Sequence, residues 1–176
     1  MRKLIVLALI SLSVIACQQG ETRYTQTSAE IDSYKALVAD YEAGNWEAFN
    51  SHFVDTAHVF HNTVDKHMSP ADNVAGHKER LAALSSYSFD KDEGDYEMVV
   101  TDKGETWVNF WGVWQGTITA SQEEFRIPVH ITAQFVDGKI VKEYGYWDNA
   151  PMTLAMQAIQ AAAEAAAEGA SEEAGD

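Results

Sequence analysis

Residues 125–147 read FRIPVHITAQFVDGKIVKEYGYW, and this stretch decides the fold. Every second side chain of its first half is apolar: Ile127, Val129, Ile131, Ala133 and Phe135. This two-residue period is typical of a β-strand with one buried face. Asp137-Gly138 favours a tight hairpin turn, and residues 139–147 then form the returning strand. The stretch therefore predicts a long antiparallel hairpin.

The chain before this hairpin predicts helices first and strands afterwards. Apolar residues at helical spacing over 31–41 predict a helix that Gly44-Asn45 ends, and a short second helix follows it. Ser69-Pro70 begins a third helix, which runs to about Leu84. Further strands are predicted at 57–62, 96–100 and 105–119, and a short closing helix after the hairpin. Helices followed by an antiparallel meander indicate the α+β class.

Four short motifs resemble those of one protein superfamily. They are Phe60-His61-Asn62, Gly76-His77-Lys78-Glu79, Gly116-Thr117, and Gly138-Lys139-Ile140 followed by Glu143, Tyr144, Asp148 and Gln157. In this order they resemble the SnoaL-like (polyketide-cyclase-like) group of the nuclear-transport-factor-2-like (NTF2-like) superfamily, over residues 31–159. The chain departs from that pattern at Thr63, where proline is usual, and at Tyr144, where tryptophan is usual. The resemblance implies a cone, with three N-terminal helices packed on a strongly bent antiparallel sheet around an apolar pocket.

The alternation of the last strand predicts which side chains reach that pocket. One face is expected to carry Ile140, Lys142, Tyr144, Tyr146 and Asp148. A carboxylate at an apolar pocket mouth has a raised pKa and can act as a general acid or base. Asp148 is therefore a candidate catalytic residue, with His61 and Tyr144 as donors to a substrate carbonyl oxygen. Residues 148–151 are also a good helix start, and in that alternative Asp148 only caps the closing helix.

Several rings are expected to line the same pocket. They are Phe60, His77, Trp107, Trp111 and Tyr146. His77 faces inward in its predicted helix, either as a hydrogen-bonded core histidine or as a pocket wall. No metal site is expected, because His58 and His61 point to opposite faces of a strand. No cofactor is expected either, because the chain has no glycine motif for phosphate or dinucleotide binding.

Large aromatic residues occur on both faces of the strand predicted at 105–119. Trp107 and Trp111 share one face, and Trp114 lies on the other. Both faces are then covered, one by the helices around the pocket and the other by a partner. We therefore expect a homodimer through the face that bears either Trp114 or Trp107 and Trp111.

The N-terminus predicts export and a lipid anchor. Two basic residues and an apolar run form a signal peptide over Met1–Ala16, too short to span a bilayer comfortably. Val14-Ile15-Ala16-Cys17 resembles the bacterial lipobox, so Cys17, the only cysteine, is the predicted lipidation site. Residues 17–28 are then a flexible tether, 29–159 the SnoaL-like domain, and 160–176 an acidic tail rich in Ala and Glu. We expect this tail to fray; in the alternative it prolongs the closing helix, because Ala and Glu favour helix. The absence of Asp after Cys17 favours the outer membrane, facing the periplasm of the cell envelope.

Charge narrows the class of partner. The formal net charge is −15, and removing the two basic residues of the signal leaves −17. Such a domain is not expected to bind nucleic acid or anionic lipid by charge. Two functions remain. The first is a membrane-anchored pocket that binds a small apolar molecule or a partner without turnover. The alternative is an isomerase, cyclase or hydrolase that uses Asp148 as general acid or base.

Overall fold

The structure, a computed structural model, describes residues 23–173, so the predicted signal peptide, Cys17 and residues 18–22 lie outside the described residues. The described residues form four helices: α1 (Ala29–Ala43), α2 (Trp46–Ser51), α3 (Pro70–Leu81) and α4 (Ala150–Glu173). Ser28 caps α1 by accepting a hydrogen bond from the Ile31 N–H at 3.2 Å, and Gly44 ends it in the left-handed conformation. Ser69 and Asp72 form a capping box at α3.

The same residues form seven strands: β1 (Tyr24–Thr25), β2 (Phe53–His61), β3 (Leu84–Phe89), β4 (Asp95–Val100), β5 (Thr106–Ile118), β6 (Glu124–Val136) and β7 (Lys139–Trp147). Their order in the one sheet is β1-β4-β5-β6-β7-β2, and β3 pairs with β5 beside β4. The predicted α+β cone is thus confirmed. The expectation of a wholly antiparallel sheet is wrong at one edge, where β2 runs parallel to β7.

The two faces of the sheet have different surroundings. The inner face packs on α1 and carries the buried side chains of the core, among them Val108, Phe110, Trp114, Val129 and Glu143. The outer face carries partly exposed rings: Trp107, Trp111, His130, Tyr144 and Tyr146. Burial of the apolar inner face against the helices, at roughly 25 cal/mol per Å², is the main force that holds the domain together.

A β-bulge in β7 sets the face of every residue that follows it. Phe135 pairs with Ile140, whereas its neighbour Gln134 pairs with Lys142, so Val141 is the extra residue. The bulge shifts the alternation by one, and Ile140 and Glu143 therefore both point to the inner face. Residues after the bulge lie on the opposite face from the one that strict alternation predicts.

Both predicted ends of the domain differ from expectation. Residues 23–28, predicted as tether, pack against the domain: β1 pairs with β4, and Arg23 forms an ion pair of 2.7 Å with Asp102. The predicted tail does not fray at residue 160 but continues α4 to Glu173, because alanine and glutamate favour helix. Within the described residues, no helix is long and apolar enough to cross a bilayer.

Candidate ligand pocket and active site

A pocket with a volume of about 110 Å³ lies between the inner face of the sheet and the helices. Its walls are mainly apolar and include Leu37, Val38, Phe89, Trp114, Ile127 and Val129. An apolar cavity of roughly 150 Å³ can hold a molecule as large as benzene. This pocket has about three-quarters of that volume, so it accommodates a smaller organic group or part of a larger molecule.

A buried carboxylate faces this apolar space. Glu143 is only 3% exposed, and the Tyr34 hydroxyl donates a long hydrogen bond of 3.5 Å to its Oε2. Burial, and then the negative charge of Glu143, raises the pKa of Tyr34 well above its ordinary value. Tyr34 therefore keeps its proton and acts as a donor to the carboxylate.

His61 is the second polar group of the pocket and lies beside Glu143. Its Nε2 is 3.7 Å from Oε1 of Glu143, and its side chain is only 9% exposed. Its Nδ1 is buried and has no hydrogen-bond partner among the described residues. A buried ring nitrogen without a partner is unfavourable, and a ligand group in the pocket could supply the missing partner.

The neighbouring strand holds the His61 ring in place. Gly145 of β7 pairs with His61, and a Cβ at Gly145 would lie 3.2 Å from its ring and 2.5 Å from the Trp147 ring. Asn62 follows in the left-handed conformation, and its side-chain oxygen accepts the Trp147 N–H at 3.0 Å. Gly145 and the hydrogen bond between Trp147 and Asn62 therefore hold the rings of His61 and Trp147 at the end of the sheet.

His77 and Arg80 of α3 extend this polar wall toward the surface. The His77 ring stacks on Trp46 and lies 5.8 Å from the His61 ring, centroid to centroid. Arg80 Nη2 donates to His77 Nδ1 at 3.3 Å. Burial, and then the nearby Arg80 charge, lowers the pKa of His77 to about 3. His77 is therefore neutral at physiological pH and remains a hydrogen-bond acceptor for Arg80.

The structure does not bring the three predicted catalytic residues together, and this corrects the sequence-based assignment. His61 lines the pocket, but Asp148 is exposed and accepts the Ala150 N–H at 2.8 Å at the start of α4. This geometry matches the capping alternative. Tyr144 lies on the outer face, stacked on Phe60 at 4.8 Å. The bulge at Val141 is the physical reason, because it exchanges the faces of Glu143 and Tyr144.

The predicted wall residues divide between the two faces as well. His77 lines the pocket, whereas Phe60, Trp107, Trp111 and Tyr146 do not. The pocket instead contains Trp114, whose indole N–H donates to the Tyr41 hydroxyl at 3.0 Å. Of the two faces considered for a homodimer, the one that bears Trp114 is therefore covered by helices, and the other is the outer face.

Sequence reasoning missed Glu143, the most informative polar residue of the site. It was named in the family resemblance but given no role, because strict alternation places it outside. Two local signals of the bulge were present: strict alternation places charged Lys142 on the pocket face, and the apolar pair Ile140-Val141 interrupts the alternation just before Glu143. Tyr34 belongs to the helical pattern of residues 31–41, and a helical period does not distinguish a core side chain from a pocket wall.

A second cluster outside the pocket contains serine, histidine and aspartate. Ser33 Oγ is 3.4 Å from His52 Nδ1, and His52 Nε2 is 3.0 Å from Asp40 Oδ2. Ser33 and Asp40 both belong to α1, and none of the three residues lines the pocket. The cluster ties α1 to the junction of α2 and β2, and we assign it a structural role. Within residues 23–173, no group of three or more His, Cys, Asp or Glu side chains could hold a metal ion.

No family model matches this sequence, and no curated protein matches it either. Solved structures do match. A protein from Shewanella denitrificans described as a SnoaL-like polyketide cyclase superposes with a TM-score of 0.57 at 12% identity, over 75% of this chain and 99% of that one. PrhC from Penicillium brasilianum gives 0.61 at 13% identity, over 81% and 94%. The domain has the cone fold of SnoaL-like proteins.

A third structure adds a bound molecule to the comparison. A ketosteroid-isomerase-like protein from Catenulispora acidiphila, solved in complex with trimethylamine, superposes with a TM-score of 0.51 at 16% identity. The match covers 65% of this chain and 84% of that one. At these identities the likeness concerns the fold, and activity must be argued from the pocket itself.

Proposed function

We propose that this SnoaL-like domain binds a small, mainly apolar molecule in the pocket beneath the sheet. The observation that carries the proposal is the buried pair of Glu143 and His61 in a mainly apolar cavity. Buried polar groups are unfavourable unless they are paired, and His61 Nδ1 has no partner among the described residues. A ligand with one polar atom on an apolar body satisfies both features of the site. The small amine bound by the Catenulispora protein is consistent with this use of the fold.

Native mass spectrometry of the protein purified from its own cells tests this proposal. We expect a retained small molecule that is released on unfolding. Met152→Trp should abolish retention, because Met152 lines the pocket from the first turn of α4 and a larger ring fills the cavity. Leu154→Trp is the matched control, since Leu154 is 64% exposed on the same helix. Equal retention by both variants would place the ligand elsewhere and refute the proposal.

The same pair favours a second candidate function, which is proton transfer on the bound molecule. In this second proposal, Glu143 removes a proton from a carbon next to a carbonyl group, and His61 Nδ1 donates a hydrogen bond to the carbonyl oxygen. In this enolisation, the C–H electron pair becomes part of the enolate, and the proton resides on Glu143. An isomerase or cyclase would require this step, with Glu143 in the role that the sequence assigned to Asp148.

Hydrogen exchange in the retained ligand separates binding from catalysis. In deuterated water, an enzyme of this kind should incorporate deuterium into the ligand, and Glu143→Gln should slow incorporation by about 10²-fold or more. Asp148→Asn is the control and should leave the rate unchanged, because Asp148 is exposed and bonded to its own helix. A ligand that is retained without exchange indicates a binding protein.

We further propose that the domain is anchored to the outer membrane through lipid on Cys17 and faces the periplasm. Lipobox-like residues 14–17 support this proposal, together with the signal-like run before them. Several acyl chains, at about 0.8 kcal/mol for each buried methylene, hold a protein far more firmly than one. Cys17→Ser should abolish palmitate labelling and detergent-phase partition. Equal labelling of the variant and the natural protein would refute the anchor.

We propose a homodimer through the outer face of the sheet. Trp111 and Tyr146 are 42% and 43% exposed there, with the His130 ring stacked between them. Sedimentation of the full chain in detergent at micromolar concentration should give twice the protomer mass, and Trp111→Ala should reduce it to the protomer mass. A monomer of the natural chain would contradict this assembly.

A further inference from the structure

We infer that the ligand of the pocket carries an anionic group, most simply a carboxylate, which binds Arg80 at the pocket mouth. The inference rests on the proposed binding function and names the class of molecule bound. It starts from the placement of Arg80, which lines the pocket while remaining exposed to solvent. The guanidinium is therefore positioned where an apolar molecule in the cavity would emerge.

Arg80 differs from the other two described arginines because it forms no ion pair with a carboxylate in residues 23–173. The structure describes three arginines, and two of them bind carboxylates: Arg23 binds Asp102, and Arg126 binds Asp90 and Glu93. No carboxylate in the described part of the chain lies within 4 Å of the Arg80 guanidinium. The neighbouring Glu79 interacts with Arg80 electrostatically but does not form such an ion pair. The remaining donors of Arg80 are available to an anion from outside.

The surrounding residues hold the guanidinium in the pocket wall. Arg80 Nη2 donates to Nδ1 of His77, whose ring is held by its stacking on Trp46. Gly76, one turn earlier, leaves room for the side chain, because a Cβ there would lie 3.0 Å from Arg80 Nη1. A guanidinium that is already oriented loses less side-chain entropy when it binds a carboxylate with two parallel hydrogen bonds.

The polar side chains of the pocket wall form a row from the interior of the domain to its surface. They proceed from buried Glu143 through His61 and His77 to exposed Arg80. An anion would be repelled at the Glu143 end and attracted at the Arg80 end. The ligand class that fits is a small amphiphilic acid, with its apolar body against Trp114 and Phe89 and its carboxylate at the mouth.

A different role for Arg80 is stabilisation of the C-terminus of α3, where it lies in the last turn with Lys78. Lys78 does not line the pocket, so the two residues separate the two roles. If Arg80 only stabilises the helix, neutralising Arg80 or Lys78 should have similar effects on the free energy of unfolding, and neither change should alter the choice between charged and neutral molecules. If Arg80 binds the ligand, only its replacement should change the choice between charged and neutral molecules.

Calorimetric titration of the full chain in detergent with benzoate and with benzamide tests the inference. Benzoate should bind at least about tenfold more tightly than its neutral analogue, because a charge-assisted hydrogen bond is stronger than a neutral one. Arg80→Gln should reduce the affinity ratio of benzoate to benzamide to about one, and a circular dichroism spectrum equal to that of the natural chain shows that the variant is folded. Lys78→Gln should retain the preference.

Equal binding of the two probes, or a preference that survives Arg80→Gln, overturns the anionic-ligand inference and leaves the pocket proposal standing. If neither probe binds the natural chain at millimolar concentration, both proposals fail together. The two failures are thus distinguishable.

Discussion

The two faces of the sheet both carry rows of aromatic rings, yet their chemistry differs. On the inner face, Trp114 is 8% exposed, and the polar groups near it, such as Glu143, are buried. On the outer face, Trp111 is 42% exposed, and its neighbours His130 and Tyr146 stack on one another in a cross-strand row. Aromatic content alone therefore does not identify a pocket. The inner face is distinguished by a buried carboxylate, that of Glu143, which faces an apolar cavity.

The largest expected contrast between the faces is in stability. Trp114→Ala should lower the free energy of unfolding by about 3–5 kcal/mol, because it leaves a cavity and removes the partner of the Tyr41 hydroxyl. Trp111→Ala should cost about 1 kcal/mol or less in the protomer, since its ring is already in contact with water. Urea unfolding at submicromolar concentration measures both. Similar losses would show that the faces are equally buried in solution.

The second-largest expected effect is a loss of stability in acid, which arises from His77 in the pocket wall. The unfolded chain binds a proton at the ordinary histidine pKa of 6.5, whereas native His77 binds it only near 3. Stability is therefore fully present above pH 6.5 and falls as the pH is lowered toward 3, by roughly 3 kcal/mol at pH 4. His77→Gln should remove this part of the pH dependence. His58→Gln, on the exposed outer side, should not, and the reverse result would contradict the assignment.

A smaller effect is expected from the glycine beside the two pocket rings. Gly145→Ala places a methyl group 2.5 Å from the Trp147 ring, so we expect a loss of about 1–3 kcal/mol and weaker binding of benzamide. Gly169→Ala is the control, because a Cβ there meets no atom within 4 Å and the residue lies in α4. Urea unfolding and titration with benzamide should show the losses in Gly145→Ala and not in Gly169→Ala. An unchanged Gly145→Ala variant would mean that the rings can move freely.

The smallest effect concerns Asp148. Asp148→Ala should cost about 1 kcal/mol through loss of its hydrogen bond to the Ala150 N–H, whereas Asp148→Asn should cost little. Neither change should alter ligand binding, because Asp148 does not line the pocket. A large loss of binding in Asp148→Asn would restore the catalytic role that strict strand alternation assigned to it.

Local patterns were sufficient to predict most of the elements. Helical spacing, Ser69-Pro70 and the Asp137-Gly138 turn predicted α1, α3 and the hairpin, because caps and turns depend on neighbouring residues. The strand β3 was missed, since Ser85, Ser86 and Ser88 give it little apolar character and it pairs only with β5. Residues of the strand are held by tertiary contacts that no short window contains.

The candidate site was less predictable for a specific reason. One extra residue, Val141, exchanges the faces of all later residues of β7, so an assignment by alternation selects Tyr144 where the fold selects Glu143. His61 could be identified because it belongs to the motif Phe60-His61-Asn62 in β2, so its identification did not depend on alternation in β7. The lesson is that face assignments after an apolar pair in a strand require coordinates.

Fluorine NMR of the chain labelled with 5-fluorotryptophan tests the distinction between the faces most directly. The sequence has five tryptophans, which single Trp→Phe variants can assign. On titration with benzamide, the resonances of Trp114 and Trp147, which line the pocket, should shift, and those of Trp107 and Trp111 should remain unchanged. Shifts confined to Trp107 and Trp111 would place the ligand on the outer face and contradict the account.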